Sequence, residues 1–483
     1  MRSAIFATRK KHTGRKIALY LFIFAMFFVL LIGPWPLADL PYQNSLYAAH
    51  SFARIAAWTP PRPLGTLVAG FSQIDITPPV GVPLAGYSAR DPKQNAGHLA
   101  PLYAKALTLG NGHQQITLLS ADFLLPLPEL IEAICARAGV ARNELYVGST
   151  HTHSGPGGYA HGLIARGALG GFDAAQFARM ADAFASIVTS SRQQLHPVEL
   201  HIDQYQLSPK LAQSFIHNNM NGQPGHDTLN IASIYNIDRD LLIPSASLIT
   251  FSAHPTFYGH TNRLAHGDYP GVIQNALTTQ LGHPVMFMAG AVGGNLAVGL
   301  GRPPSTAPGE QIAQLDDFSS RFISLIRGLA HGNPTAEITR LQHHALRQAD
   351  IISYTAPIEL PSASYRVIGD WVLSSWLVKQ IFHDEQTEIQ IARIGPWILW
   401  GFPADFSGEL AANLESYARA QGALGWVTSF SGDYIGYIMP HAYYAQDTRE
   451  TRGANIYGPW AGEYLVDAAT RLAQRTQHIA PAQ

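Results

Sequence analysis

Leu145-Tyr-Val-Gly-Ser-Thr-His-Thr-His-Ser-Gly-Pro-Gly-Gly158 runs from an apolar, strand-like segment into two histidines and a glycine-rich turn. If the strand over Leu145–Ser149 continues through the pair, its period of two points the His151 and His153 imidazoles to one side. Two same-side ring nitrogens suit a metal ion, or one ligand and one proton-transfer group. The glycines that follow let backbone approach a substrate closely. The plainer alternative is a pair of surface-loop histidines in a chain that contains 21.

The same pattern recurs along the chain. Apolar, β-rich runs at Ala106–Leu109, Gln115–Ser120, Leu248–Ser252, Val285–Ala289, Ile389–Ile394, Trp397–Gly401 and Trp426–Phe430 read as strands. Helical patterns cover Leu127–Ala138, Ala174–Gln194, Gly271–Gln280, Gln311–Leu329 and Phe406–Gln421. This alternation predicts an α/β protein, layered as α+β, with central sheets covered by helices. Several strands end directly in small or polar residues: Thr150–Ser154, Ala253-His-Pro255, Gly290-Ala-Val-Gly-Gly294 and Pro403-Ala-Asp405. Carboxyl ends of strands are where α/β sites assemble, so the site is expected there.

His254 ends one such strand, with Asp268-Tyr-Pro-Gly271 close behind, and Asp405 ends another. Taken singly, each is a cap or a structural hydrogen-bonder as readily as a functional group. Together, two histidines and a carboxylate on separate strand ends match the donor set of a hydrolytic zinc site, whose open position lowers the pKa of a bound water toward ~7. Other signatures are missing. The sequence has no His-Glu-x-x-His, no Gly-x-Ser-x-Gly, no P-loop and no Gly-x-Gly-x-x-Gly, so Gly290–Gly294 reads as a tight active-site turn.

Composition narrows the function classes. Of 483 residues, 47% are hydrophobic and only 13% charged, which excludes a disordered chain, a coiled coil and a strongly basic nucleic-acid binder. The single Cys135 excludes a disulfide framework and a cysteine-rich zinc module. The net charge of −1 conceals an asymmetry: six cations lie within residues 1–16, and the remainder carries 26 basic against 33 acidic residues. After this basic, cytoplasmic tail, residues 17–35 form an apolar stretch approaching the ~20 residues of a membrane span. The flanking cations predict a single-pass anchor with the main domain extracytoplasmic, periplasmic or extracellular. A cleaved signal peptide and a buried core helix are the alternatives. Residues 36–66 read as a connector, and residues 67–483 as the catalytic body.

At these residues the chain resembles the neutral/alkaline non-lysosomal ceramidase family. The likeness starts at Leu67-Val-Ala-Gly-Phe-Ser-Gln-Ile-Asp-Ile-Thr-Pro-Pro-Val-Gly-Val-Pro-Leu-Ala-Gly-Tyr87 and continues through Ala100–Leu107 and Ser149–Gly158. Phe251-Ser-Ala-His-Pro255, Tyr434-Ile-Gly-Tyr-Ile438 and Ile456-Tyr-Gly-Pro459 follow in the same order. It covers the family's catalytic N-terminal domain only. The resemblance implies a zinc enzyme that hydrolyses the amide of ceramide. It also implies zinc ligands at His151, His254, Asp405 and Tyr437, with His153 beside the substrate as the catalytic histidine.

Departures from the family pattern are equally specific. The turn that carries an active-site serine in the family reads Gly290-Ala-Val-Gly-Gly-Asn295, so the serine has become Gly293. Gly293, Asn295 and Asp268 are the substrate-side candidates. The family's glutamate ligand is the shorter Asp405; a substrate-side arginine maps near Asn218–Asn219, and a second tyrosine near Glu450. The metal shell is thus largely kept while the amide-handling groups change.

Trp371-Val-Leu-Ser-Ser-Trp-Leu-Val-Lys-Gln-Ile-Phe382 is apolar nearly all round and reads first as a core helix with aromatic filling. A wall of an acyl-chain pocket or a membrane contact is the other reading. The expected activity is hydrolysis of an amide in a ceramide-like N-acyl lipid by a membrane-anchored zinc enzyme. A metallohydrolase of a different amide or ester, and a degenerate member that binds lipid without catalysis, are the alternatives.

Overall fold

A computed structural model describes residues 2–239, 241–333, 335–380 and 385–477, with only the backbone for residues 2–14, 163 and 164. Two sheets carry the fold. Eight strands of the larger sheet run in the order Val285–Ala289, Leu241–Phe251, Thr228–Asp238, His196–Leu207, Val68–Asp75, Tyr103–Gly110, Gln115–Ala121 and Leu145–Val147. Its ninth, Ile338–Leu346, pairs with His196–Leu207. The smaller sheet runs Leu64–Thr66, Gln348–Glu359, Gln386–Ile394, Trp397–Gly401 and Leu424–Thr428.

Strand periodicity sorts the side chains into layers. Leu107, Leu118, Tyr146, Leu248 and Met286 of the larger sheet share one apolar core with Ala392, Trp397, Leu399 and Trp426 of the smaller. Their sequence neighbours face the other way. Ala106, Leu119 and Val147 pack under helices Pro128–Ala138 and Ala174–Gln193. Ile249 and Phe287 pack under Asp268–Leu281 and Pro308–Ala330. On the smaller sheet, Ile391, Ile398 and Val427 face helices Gly408–Ala420 and Ala461–Thr476. The result is two sheets face to face with helices outside, the mixed α/β layering expected from the strand–helix alternation.

Three pairings in these sheets are parallel: Gln115–Ala121 with Leu145–Val147, Leu241–Phe251 with Val285–Ala289, and Trp397–Gly401 with Leu424–Thr428. The others are antiparallel. The carboxyl ends of the parallel pairs are laced together, Ala289 N–H donating to Ser149 O (2.9 Å) and Ser429 N–H to Ala289 O (3.1 Å). The candidate residues sit on the loops beyond this seam.

Two segments differ from expectation. Residues 36–66 are largely structured: helix Leu46–Ala57 buries Ala48 and Ile55 in the core beneath the smaller sheet, and Leu64–Thr66 is that sheet's edge strand. The stretch from Trp371 is not a core helix. It forms a two-residue strand, Trp371–Val372, and a short helix, Ser375–Lys379, with Trp371 47% and Trp376 57% exposed. Ile381 and Phe382 lie outside the described residues. The N-terminal helix, Arg2–Ile32, has one apolar window, Arg15–Ile32, long enough to cross a membrane and with none of it buried in the domain.

Candidate active site

The three histidines reach one point from three directions. His151 follows Leu145–Val147 with φ of +61°, a left-handed conformation costly for a residue with a Cβ. Its ring lies flat on Phe430 at 3.6 Å, and its Nδ1–H donates to Leu124 O at 2.8 Å. His153 donates through Nδ1 to Gly86 O at 3.2 Å. Position 86 must be glycine, because a Cβ there would lie 2.6 Å from the Cβ of His153. The buried Arg90 guanidinium clamps this corner, donating to His153 O (2.8 Å), Ala85 O (2.8 Å) and Asn262 O (2.9 Å). His254 is held by its N–H to Asn295 O (2.8 Å), and its ring faces the Val292 carbonyl.

A carbonyl can only accept, so on each ring the nitrogen that faces one carries the proton. The three Nε2 atoms are left as lone-pair donors, each 3.1 Å from the other two. Burial holds all three imidazoles neutral. His151 and His153 lie well below the usual histidine range, each driven lower by neighbouring histidines, and His254 falls to about 3. Three converging lone pairs repel one another unless a cation lies among them. Their spacing is close to the ~3.3 Å edge of a tetrahedron with ~2.0–2.1 Å metal–nitrogen bonds. Carbonyl-oriented imidazoles are also the usual outer support of metal-binding histidines.

Asp405 supplies the carboxylate. The chain after Trp397–Gly401 stays extended at Asp405–Phe406, where it pairs in parallel with Tyr437–Ile438, Asp405 opposite Tyr437. The expected helix therefore starts at Gly408, capped by the Ser407 hydroxyl. Asp405 Oδ2 accepts from Tyr434 Oη at 2.7 Å. Oδ1 is buried without a hydrogen-bond partner, 3.8 Å from His151 Nε2 and 3.8 Å from the His254 ring. An orphaned carboxylate oxygen beside three unprotonated ring nitrogens fits a divalent cation. Without one, burial lifts the Asp405 pKa to about 7. Burial and the Asp405 charge push Tyr437 well above the usual phenol range.

Tyr434 and Arg449 belong to the site but were not singled out from sequence. Tyr434 stands in the Tyr434–Ile438 block, three residues before Tyr437. Arg449 opens a short helical turn, Arg449–Gly453, and reaches solvent at the mouth. Its positive charge is supported first by Tyr437 and then by Asp405, and it helps depress the three imidazoles. Asn219 Nδ2 donates to Glu450 Oε1 at 3.1 Å, so the loop expected to hold an arginine touches the loop that holds one.

The three substrate-side expectations change. Gly293 does not face an open cleft: its N–H donates to Phe406 O (2.9 Å), and a Cβ there would lie 2.5 Å from Asp405 O. Asn295 is fully buried behind His254, its Nδ2 donating to Ala291 O at 2.7 Å. Asp268 starts its helix at φ +52° and accepts from the backbone N–H groups of Tyr269 (2.8 Å) and Tyr258 (3.3 Å). Its charge acts on Tyr87, whose ring packs 4.8 Å from that of His153.

Residues 67–286 match the family described as neutral/alkaline non-lysosomal ceramidase, N-terminal. Those residues, fewer than half of the chain, are similar to the neutral ceramidases. The chain is 25% identical over 213 residues to the neutral ceramidase of Pseudomonas aeruginosa, a stretch covering 41% of this chain and 28% of that protein. The match thus spans under a third of the curated relative. In fold, the chain superposes on the crystal structure of neutral ceramidase from Pseudomonas aeruginosa with a TM-score of 0.67 at 18% identity, covering 86% of this chain and 76% of that one. A ceramidase complexed with C2 superposes with a TM-score of 0.66 at 18% identity, covering 86% and 77%. Asp405, Tyr437 and Arg449 lie beyond the matched sequence, and folding brings them to the histidines.

Proposed function

We propose that this chain is a zinc-dependent amidohydrolase acting on a ceramide-like N-acyl lipid, anchored by residues 17–35 with the folded domain that follows them outside the membrane. The convergence of three neutral imidazoles on one point, beside an unpartnered carboxylate oxygen, carries the reading. His151, His254, Asp405 and Tyr437 are the residues we assign to the metal, and His153, with its Nε2 3.1 Å from those of His151 and His254, is the alternative third nitrogen donor. When bound, zinc supplies Lewis acidity and brings the pKa of a coordinated water toward ~7.

The chain's own groups account for the rest. His153, kept neutral with Nε2 unprotonated, is suited to take a proton from the attacking water and return it to the leaving amine. Net hydrolysis then gives a carboxylic acid and an amine. Arg449 supplies a fixed positive charge at the mouth for the oxygen on which negative charge develops. It takes over from the opposite loop the role implied for an arginine near Asn218–Asn219. The blocked space at Gly293 favours a second reading, in which the substrate is a different amide or ester whose cleavage needs no serine there.

Purified full chain in detergent micelles, assayed for released amine on ceramides and on N-acyl amino compounds, separates these readings. Ceramide turnover that is abolished by chelation and restored by zinc supports the first. Turnover of another amide with ceramide inert moves the substrate class. No turnover, together with no bound metal, leaves a lipid-binding relative.

A further inference from the structure

The end of the apolar N-terminal helix is clamped to the folded domain. Trp35–Pro36 pairs antiparallel with Trp371–Val372, which in turn pairs with Arg366–Ile368. Ser374 N–H donates to Ile32 O at 2.9 Å, its hydroxyl bonds to Leu31 O, and Leu37 N–H donates to Asp370 O at 2.7 Å. A helix fixed in this way sets the level of everything bonded to its end.

That level is lined with exposed apolar groups. Ile368 is 67% exposed, and Trp35, Trp371 and Trp376 are all open to solvent, whereas Trp397, Trp400 and Trp426 are fully buried. A cavity of about 540 Å³, bordered by Trp35, Leu37, Leu40 and Trp460, opens beside the helix end. A second, of about 440 Å³, is bordered by Arg366 and Val367 of the same small sheet and by Arg449.

We propose that this three-stranded sheet and the Ser375–Lys379 turn seat on a lipid bilayer. Tryptophans would sit at the boundary between headgroups and acyl chains, and the groove bordered by Arg449 would open toward the lipid. Continuity with the apolar helix commits the surface to a bilayer, since residues hydrogen-bonded to the end of a spanning helix lie at the interface. Tryptophan is the residue enriched at that depth. Indole rings combine an apolar body with one N–H donor, which suits such a boundary. The inference rests on reading residues 17–35 as an anchor and is independent of catalytic activity.

The test uses the full chain in phosphatidylcholine vesicles, in a Cys135→Ser background. Single cysteines introduced by Ile368→Cys, Trp376→Cys, Leu21→Cys or Ile312→Cys carry an environment-sensitive fluorophore, quenched by doxyl-labelled lipids. Leu21 reports the anchor. Ile312, exposed on the helix Pro308–Ala330 against the other sheet, reports water. The proposal expects blue-shifted emission and several-fold stronger lipid quenching at 368 and 376 than at 312. Quenching at 21 with 368 and 376 behaving like 312 overturns the docking surface alone. Burial at 368 and 376 without lipid quenching, as in a contact with a second copy, overturns it too. No quenching at 21 overturns the anchor reading itself.

Discussion

The carbonyl oxygen of Asp405 occupies the space that a side chain at position 293 would need, because a Cβ on Gly293 would lie 2.5 Å from it. The turn Gly290–Gly294 is therefore a backplate for the candidate carboxylate ligand, not a surface offered to substrate. A serine at this position, which the resemblance to the ceramidases implies, should harm this protein. Gly293→Ser is expected to cost about 1–3 kcal/mol by overpacking and to lower metal affinity by displacing Asp405. Thermal denaturation and metal analysis of the same preparation check both. An equally stable variant with higher turnover would show that the turn yields.

His151 and His153 are two residues apart and equally close to His254, yet different roles are proposed for them. His254→Ala and His151→Ala should each strip the metal. His153→Ala should retain it while turnover falls by roughly 10²-fold or more, the usual contribution of a general acid–base group. Metal content by mass spectrometry, read beside the rate, decides the matter. Loss of metal from His153→Ala would make His153 a third nitrogen ligand.

Arg449 is placed to act on charge that develops during the reaction. Arg449→Met should lower kcat by roughly 10²-fold, the scale of losing one stabilising donor, with a smaller change in KM. Arg449→Lys should recover part of it. A variant that raises KM alone would assign Arg449 to substrate binding rather than to the transition state.

Asp268 gives a prediction that does not involve the metal ligands. Burial raises its carboxyl pKa from 3.8 to about 7, so the folded state holds a proton that the unfolded chain releases. Its contribution to stability is full below about pH 4 and is lost as pH rises through 7. The stability difference between wild type and Asp268→Asn should fall by up to about 1.4 kcal/mol per pH unit in that window, then level off. Denaturant titrations from pH 4 to 8 measure it. Parallel curves would place the charge outside the buried pocket.

Much of the architecture was legible because most strands of the three parallel pairs are short apolar runs, and such runs end visibly in polar turns; Leu241–Phe251, whose first half is exposed, is the exception. Val285–Ala289 and Trp397–Gly401 have the bounds expected from sequence. The long antiparallel strands His196–Leu207 and Thr228–Asp238 were not seen. The first does alternate over Val198, Glu199, Leu200, His201 and Ile202, but Gln204 and Gln206 break the pattern, and the second carries Asn230, Ser233 and Asn236 among its apolar residues, so neither reads as a continuous apolar run. Trp371 and Trp376 misled for a related reason: an apolar segment that faces outward has the composition of one that faces inward.

At the site, His151, His153, His254 and Asp405 could be picked out because each follows a strand end. Arg449 and Tyr434 could not, since loops with no periodicity deliver them. Nor could sequence show that the space beside Gly293 is filled, because the atoms that fill it come from a strand more than a hundred residues away.

The account turns on the histidine cluster being a metal-dependent hydrolytic centre. The most direct measurement is the rate of amide cleavage by chelator-stripped full-length protein as zinc is added back. The account predicts a rate near zero without metal, rising linearly to a break at one zinc per chain, with no recovery in His254→Ala. A rate that survives stripping, or no break on adding zinc, would contradict it.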